Sequence, residues 1–402
     1  MTTMSVTPLD DIRVLDLTHF INGPYATMLL GYMGAEIVKI EAPRYGDGFR
    51  PLSKSPGHPF GLPFAMMNLN KRAITLDLKS ARGKEIFKRL VARADLVVEN
   101  YAAGTMTRMG LDYGTLSRIN PRLIYASGTG YGQTGPNSNL PAFDPIVQAN
   151  TGLMAVTGEK GGPPLKSGAA VVDVLGAVHL CAAILGAIRE RDRSGKGLTI
   201  EVAMQEATLP TLVAQIGAWY GLGNREMRNG NRAAGGGLTP YNAYPASDGW
   251  VMILAGDNAR WRRLCQVIGR PQMADDPRFA KLGGRIQNRD LIDEAISEWT
   301  RGRTREAIME ELSSNDVLCG IVRDLPEVMD DPHLEQRGAL RMVEHPELGS
   351  MKVFGSPLRF NGEVSPIKSL SPGLGADNDD FYARELNLSV DEIAELRAEG
   401  II

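Results

Sequence analysis

The residue in this chain of 402 with the widest choice of chemistry is Asp173, which follows Val171-Val172 in AAVVDVLGAVHLCAAILGAIRERDR. The apolar residues Ala177, Leu180, Cys181, Ile184, Leu185 and Ile188 recur at helical spacing, so the carboxylate stands at the head of an apolar helix. Two roles are open to it. As an N-cap it satisfies free helix N–H groups and gains from the dipole. As a nucleophile, held ionised by the same field, it attacks an activated carbonyl such as a thioester. Gly235-Gly236-Gly237 is likewise either a flexible linker or a loop whose bare backbone closes over a reactive intermediate. Lys71 and Arg72 in NLNKRAITLDL, and Arg108 in ENYAAGTMTRMGLDY, are either solvated surface charges or donors to phosphates. His179, six residues past Asp173, falls on a different helical face and is expected in the core.

Several chemistries lose their footing. No GxGxxG or GxxxxGK[ST] follows the first predicted strand, so the turn after it carries neither the usual dinucleotide fingerprint nor a P-loop. No GxSxG or HExxH occurs, which removes the usual serine acyl-enzyme and zinc-hydrolase signatures. Cys181, Cys265 and Cys319 are far apart without a CxxC, which predicts packing roles in a reducing compartment and no metal site. A formal net charge of -3 offers no positive field to a polyphosphate backbone, so nucleic acid is not expected as a partner. The N-terminal MTTMSVTPLDD lacks a basic then apolar leader, and no stretch is expected to form a membrane helix, which needs about 18 apolar residues. A cytoplasmic protein with no membrane partner is the expectation.

The elements that must position these residues read as follows. Residues 12–18, IRVLDLT, form a strand that leads through Asn22-Gly23-Pro24 into the helix-compatible YATMLLGYM, and EIVKIEAP forms the next strand. The unit recurs: RAITLDLKS is a strand, SARGKEIFKRLVARA an amphipathic helix with Ile86, Leu90 and Val91 on one stripe, DLVVEN a strand, and RLIYASGTG another. Strands alternating with helices predict a Rossmann-like α/β domain, its parallel sheet covered on both faces, with ligands beyond the strands' carboxyl ends. A length of 402 residues exceeds one usual core, and the texture changes at GLGNREMRNGNRAAGGG. The expected partition is a large domain over 1–220, a linker and smaller α+β domain over 221–339, and a segment over 340–402 that returns to the large domain.

Six blocks, in order over nearly the whole chain, carry a family resemblance. They are VLDLTHFINGPYATMLLGYMGAEIVKIEAP, NLNKRAITLDLK, DLVVENYAAGTMTRMGLDYGTL, NPRLIYASGTGYGQTGP, the Asp173 segment with ERDRSGKG, and DGWVMI. Together they resemble the family III coenzyme A transferases, the carnitine-dehydratase/bile-acid-inducible family. The resemblance implies a two-domain subunit whose C-terminal tail rejoins the large domain, and a homodimer whose subunits interlock as rings, a rare exception to unthreaded chains. It implies no permanently bound cofactor, acyl-CoA and a small carboxylic acid as substrates, and Asp173 as the nucleophile. The CoA contacts fall on Ile21 and Asn22, on Asn68, Leu69, Asn70 and Lys71, on Asn100 and Tyr101, on Arg108, and on Pro141, Ala142, Phe143 and Asp144; Gly235, Gly236 and Gly237 match the glycine loop of the small domain.

The implied reaction begins with carboxylate attack on the thioester, giving a mixed anhydride on Asp173 and CoA thiolate. The acceptor acid then displaces the first acid, and the thiolate attacks the new anhydride. Such anhydrides are water-sensitive, so a lid is needed, and its backbone N–H groups would also stabilise an oxyanion. The formyl-CoA:oxalate branch has a glutamine before an Ala-Gly-Pro turn, where this chain has Ile21-Asn22. The 2-methylacyl-CoA racemases of the same fold use a His-Asp pair where this chain has Phe143-Asp144, and phenylalanine accepts no proton. A CoA-ester binding protein without turnover would be favoured by loss of Asp173, which is present; a nicotinamide dehydrogenase, suggested by fold alone, lacks its glycine fingerprint after the first strand.

Overall fold

The computed structural model describes residues 6–223 and 227–402; residues 224–226 of the glycine-dense segment, and the first five residues, lie outside it. The described chain forms two compact units, one of Met1–Gln148, Ala169–Thr208 and Asp331–Ile402, the other of Ala149–Gly168 and Leu209–Asp330. The smaller unit therefore begins at Leu209 and ends at Asp330, in place of 221 and 339, and also takes in Ala149–Gly168, for which the expected partition has no counterpart.

The large unit is built on six strands, β1 (Arg13–Asp16), β2 (Glu36–Glu41), β3 (Lys71–Thr75), β4 (Leu96–Glu99), β5 (Ile124–Thr129) and β6 (Thr199–Ala203), in the order β3-β2-β1-β4-β5-β6 and all parallel. The period of two along each strand sorts its residues between two cores. Leu15, Val38, Ile40, Ile74 and Val97 face one side, where they meet Ile86, Phe87 and Leu90 of helix α2 (Ala81–Val91) and Phe381, Tyr382 and Leu396 of the C-terminal helices. Val14, Ile37, Val98 and Ala126 face the other, against Leu29 and Leu30 of α1 (Asn22–Tyr32) and Leu180, Cys181 and Ile184 of α3 (Val171–Ser194). Burial on both faces is what a parallel sheet requires, and the return of the C-terminal segment supplies part of one cover. Local signals agree with this packing: Ser80 caps α2 by accepting from the Gly83 N–H at 2.9 Å.

Two expectations for α3 change. It has an 18-residue window apolar enough, by length and composition, to cross a membrane, although one stripe of it is buried in the sheet's core. The opposite stripe is exposed at Val174, Val178 and Leu185, and His179 is exposed too, its Nδ1 lying 2.8 Å from the Leu175 carbonyl oxygen. His179 is thus no core histidine: the helix is apolar nearly all round, and only the stripe facing the sheet is covered.

The small unit is α+β. An antiparallel sheet of β7 (Tyr241–Ala246), β8 (Gly249–Leu254) and β9 (Leu318–Ile321) packs Val251 and Ile253 against Trp261, Leu264, Ile292, Ile296 and Ile308 from its helices. Within this unit Gly235 and Gly236 have φ of 69° and 71°, a left-handed pair for which glycine alone is unstrained.

Candidate active site

Strand order reverses between β1 and β4, and a cleft of about 480 Å³ opens at that switch point, beyond the carboxyl ends of β1, β4 and β5. His19, Phe20 and Asn22 enter it after β1, Asn100 to Ala103 after β4, and Gly128 to Tyr131 from the end of β5, with Leu140 to Phe143, Asp173 and Met204 closing the wall. A second cavity of about 400 Å³ lies beside Glu99, Asp112, Tyr125 and Glu201, but Asp173 is not among its lining residues.

Asp173 occupies the first turn of α3 and not its cap, which is Ala170. The capping work is done by Asp144, whose Oδ2 accepts from the N–H of Val172 at 2.8 Å and of Asp173 at 3.2 Å. This corrects the N-cap alternative for Asp173: an upstream carboxylate already fills that role. The Asp173 carboxylate itself makes no hydrogen bond with the described residues and is left facing the cleft. Burial first, and the nearby Asp144 second, push its carboxyl up to about 7. It therefore gains or loses its proton near neutral pH, and its ionised form is poorly solvated, which favours attack over rest.

Asn22 fixes this turn from the other side. Its Nδ2 donates to the Asp173 carbonyl oxygen at 3.1 Å. The approach needs glycine at two places: a Cβ on Gly176 would come within 2.3 Å of Asn22 Nδ2, and one on Gly128 within 2.7 Å of its Oδ1. That Oδ1 is buried with no partner, an arrangement that costs about 1–3 kcal/mol in a resting protein.

Behind the cleft wall lies a buried charge network. Lys71 Nζ is 2.9 Å from Asp16 Oδ2, and it also donates to Thr27 Oγ1 at 2.8 Å and the Pro24 carbonyl at 3.0 Å. The ammonium has no exposure, so the expectation that it meets a phosphate is corrected: its three donors are spent on holding β3 to β1 and α1. Lys39 Nζ pairs in turn with Asp47 Oδ2 at 3.0 Å. The other oxygen of Asp47 accepts from the Phe20 N–H at 3.0 Å and lies 3.6 Å from Nδ1 of His19. Burial alone would raise the Asp47 carboxyl, but Lys39, His19 and the Phe49 N–H together hold it well below the usual carboxylate range. The turn carries strain, because Phe20 has a φ of 63° without being glycine, an outlier costing on the order of 1–3 kcal/mol. Strain of this kind persists where the surroundings over-determine it, here through Asp47 and the edge-on contact of Phe20 with Phe143 at 5.3 Å.

The cleft brings together Asn22, Asn100, Tyr101, Pro141, Ala142, Phe143 and Asp173 of the residues expected from sequence. Ile21, Asn68, Leu69, Asn70, Lys71, Arg108 and Asp144 do not line it, and Gly236 and Gly237 belong to the other unit. Asn68 and Leu69 are fully buried, and Asn70 is committed to the 366–369 segment, donating to the Pro366 carbonyl and accepting from the Lys368 and Ser369 N–H groups. Arg108 is exposed, its Nη2 2.8 Å from Thr105 Oγ1 and its Nη1 3.4 Å from the carbonyl of Ala103, a cleft residue. Sequence reasoning missed His19, Phe20, the Gly128-Thr129-Gly130 strand end and the partner Asp47. The signal for the first two was their place directly after the carboxyl end of the first strand, where doubly wound sheets bind ligands.

Comparison with known proteins was consistent along the whole chain. The model of CoA-transferase family III matches residues 9–378. A formyl-CoA:oxalate CoA-transferase of Streptomyces coelicolor is 36% identical, over 99% of this chain and 100% of its own. A succinyl-CoA:mesaconate CoA-transferase of Haloarcula hispanica is 37% identical, over 94% of this chain and 95% of its own. Among solved structures, a CAIB/BAIF family protein from Brucella suis superposes with a TM-score of 0.84 at 31% identity, covering 95% of this chain and 100% of that one.

Proposed function

The chain belongs to CoA-transferase family III and moves CoA between an acyl-CoA and a carboxylic acid, and from that premise we propose that Asp173 carries the acyl group. The single observation that supports this is the free, cleft-facing carboxylate in the first turn of α3, relieved of capping by Asp144. Its oxygen attacks the thioester carbonyl, the C–S bond breaks, and a mixed anhydride and CoA thiolate result. The acceptor carboxylate then attacks the Asp173 carboxyl carbon of this anhydride, the bond to the first acid breaks and that acid leaves; the thiolate attacks the acceptor's carbonyl carbon in the new anhydride, forming the new CoA thioester and freeing the Asp173 carboxylate.

The acceptor is a short dicarboxylate, as the acceptors named for both relatives are, and the donor is a short acyl-CoA. CoA lies along the cleft, with Asn22 Oδ1 taking an amide N–H of the pantetheine arm and Arg108 at the rim meeting phosphate. The enzyme works in the cytoplasm as a homodimer. Support for the dimer comes from the uncovered apolar residues Val174 and Val178 on α3 and, separately, Val213, Trp219 and Tyr220 on the helix Val213–Leu222. Light scattering is expected to give twice the 43.6 kDa of one chain; a stable monomer at micromolar concentration would contradict it.

The test of function is CoA exchange, followed by mass spectrometry, from formyl-CoA and succinyl-CoA to a panel of dicarboxylates. Wild type is expected to make a new CoA ester with at least one acceptor and Asp173→Asn to make none. Equal turnover by the two proteins would overturn the assignment.

A further inference from the structure

When Asp173 is acylated, a full negative charge appears on the sulfur of CoA inside a cleft walled by Phe20, Leu140, Phe143 and Met204. A thiolate in such a place needs a countercharge or a strong donor. Among the described residues that line the cleft, His19 is the sole side chain able to carry positive charge. Its placement is unusually determined. Both backbone groups of His19 are clamped by one side chain, its N–H donating to Asn100 Oδ1 at 2.8 Å and its carbonyl accepting from Asn100 Nδ2 at 2.8 Å. Nδ1 of the ring faces the buried Asp47 carboxylate at 3.6 Å, which Lys39 holds from behind. Nε2 has only a long, 3.4 Å contact with the Tyr101 hydroxyl, and the ring is partly open to the cleft. Tyr101 is anchored in turn, its N–H donating to the buried Glu99 carboxylate at 2.7 Å. A carboxylate facing Nδ1 orients the ring and leaves Nε2 toward a ligand in the cleft.

We propose that His19 is a second catalytic residue, whose Nε2–H, backed by Asp47 on Nδ1, donates a hydrogen bond to the CoA thiolate released on acylation of Asp173. The electron count is simple. An Asp173 oxygen forms a bond to the acyl carbon, the C–S bond breaks, and its electron pair stays on sulfur. No proton changes hands: His19 keeps its Nε2 proton, so the sulfur is stabilised yet remains a nucleophile for the return step. Tyr101 positions the ring and closes the gap beside it.

This rests on the anhydride reading, so the test keeps the two apart. First, CoA alone, with no acyl donor, is added to Asp173→Asn, and the ultraviolet difference absorbance of the thiolate is recorded. The band is expected with Asp173→Asn and is expected to be lost in Asp173→Asn/His19→Gln, whatever the residual activity of Asp173→Asn; a band of equal size in the double variant overturns the role. Second, acyl thioesters whose leaving thiols differ in acidity are compared with wild type and His19→Gln. The variant is expected to lose about 10²–10³-fold in kcat with acyl-CoA, the scale of one lost donor to a developing anion. That deficit is expected to shrink as the thiol becomes more acidic, because a more stable thiolate needs less help. A deficit independent of thiol acidity would mean that His19 only holds the loop, and His19→Gln and His19→Ala both within about threefold of wild type would remove it from the reaction altogether. Because the backbone clamp by Asn100 does not use the imidazole, both variants retain it, and far-ultraviolet circular dichroism checks their folding.

Discussion

Replacing Asp173 by asparagine separates the chemical role of this side chain from any structural one. In the folded chain burial and Asp144 push the carboxyl up to about 7, against about 3.9 for an aspartate in water. That difference is about three decades of proton affinity, and at about 1.4 kcal/mol each it amounts to about 4 kcal/mol. Partial exposure to cleft water reduces the usable figure to about 1–3 kcal/mol. Below about pH 4 the carboxyl is protonated in both folded and unfolded chains and makes no difference to stability. Between about pH 4 and 7 the unfolded chain gives up its proton while the folded chain retains it, so wild-type stability falls as pH rises, and above about pH 7 the whole penalty is in place. Asparagine never ionises. Asp173→Asn is therefore expected to match wild type near pH 4 and to exceed it by about 1–3 kcal/mol at pH 8, while transfer falls by orders of magnitude. Urea denaturation over a pH series at constant ionic strength reads the difference. A variant less stable than wild type at pH 8 would refute the reasoning, because it would mean that the Asp173 carboxylate, and not Asp144, satisfies the start of α3.

Asp144→Ala removes the acceptor for two helix N–H groups and is expected to lower stability by about 0.5–2 kcal/mol; with its like charge gone, the Asp173 carboxyl comes down, so the acid limb of the kcat/KM profile should move to lower pH, and an unmoved limb would count against the coupling. Lys71→Ala leaves Asp16 buried without its cation, so a loss of about 3–5 kcal/mol in urea unfolding is expected, with the CoA affinity of the folded protein unchanged. Arg108→Ala should weaken CoA binding by about 1.5–3 kcal/mol in calorimetry while leaving kcat at saturation in place; unchanged affinity would remove Arg108 from the phosphate site.

What was legible in the sequence was what short-range chemistry determines. The alternation in IRVLDLT and EIVKIEAP, and the stripe of Ile86, Leu90 and Val91, announce a sheet with helices on both faces, because each pattern is complete within a few residues. Asp173 could be picked out because it marks the start of an apolar run. Its release from capping could not, since the carboxylate that relieves it comes from Asp144, a different helix start 29 residues earlier. Lys71 reads as one more surface cation until Asp16, 55 residues away, closes on it. His179 was expected inside because α3 is apolar on nearly every face, and periodicity does not say which stripe the sheet covers. The excursion Ala149–Gly168 was hidden because the helix Asp144–Asn150 runs across the boundary between units without a break in pattern.

The passage of the acyl group through Asp173 can be caught directly by adding hydroxylamine during turnover with acyl-CoA and acceptor, then digesting the protein and sequencing its peptides by mass spectrometry. The expected result is a hydroxamate on Asp173 that requires acyl-CoA and is missing from Asp173→Asn. An adduct on Asp144 or Cys181, or turnover that continues with Asp173 unmodified under trapping, would contradict the assignment.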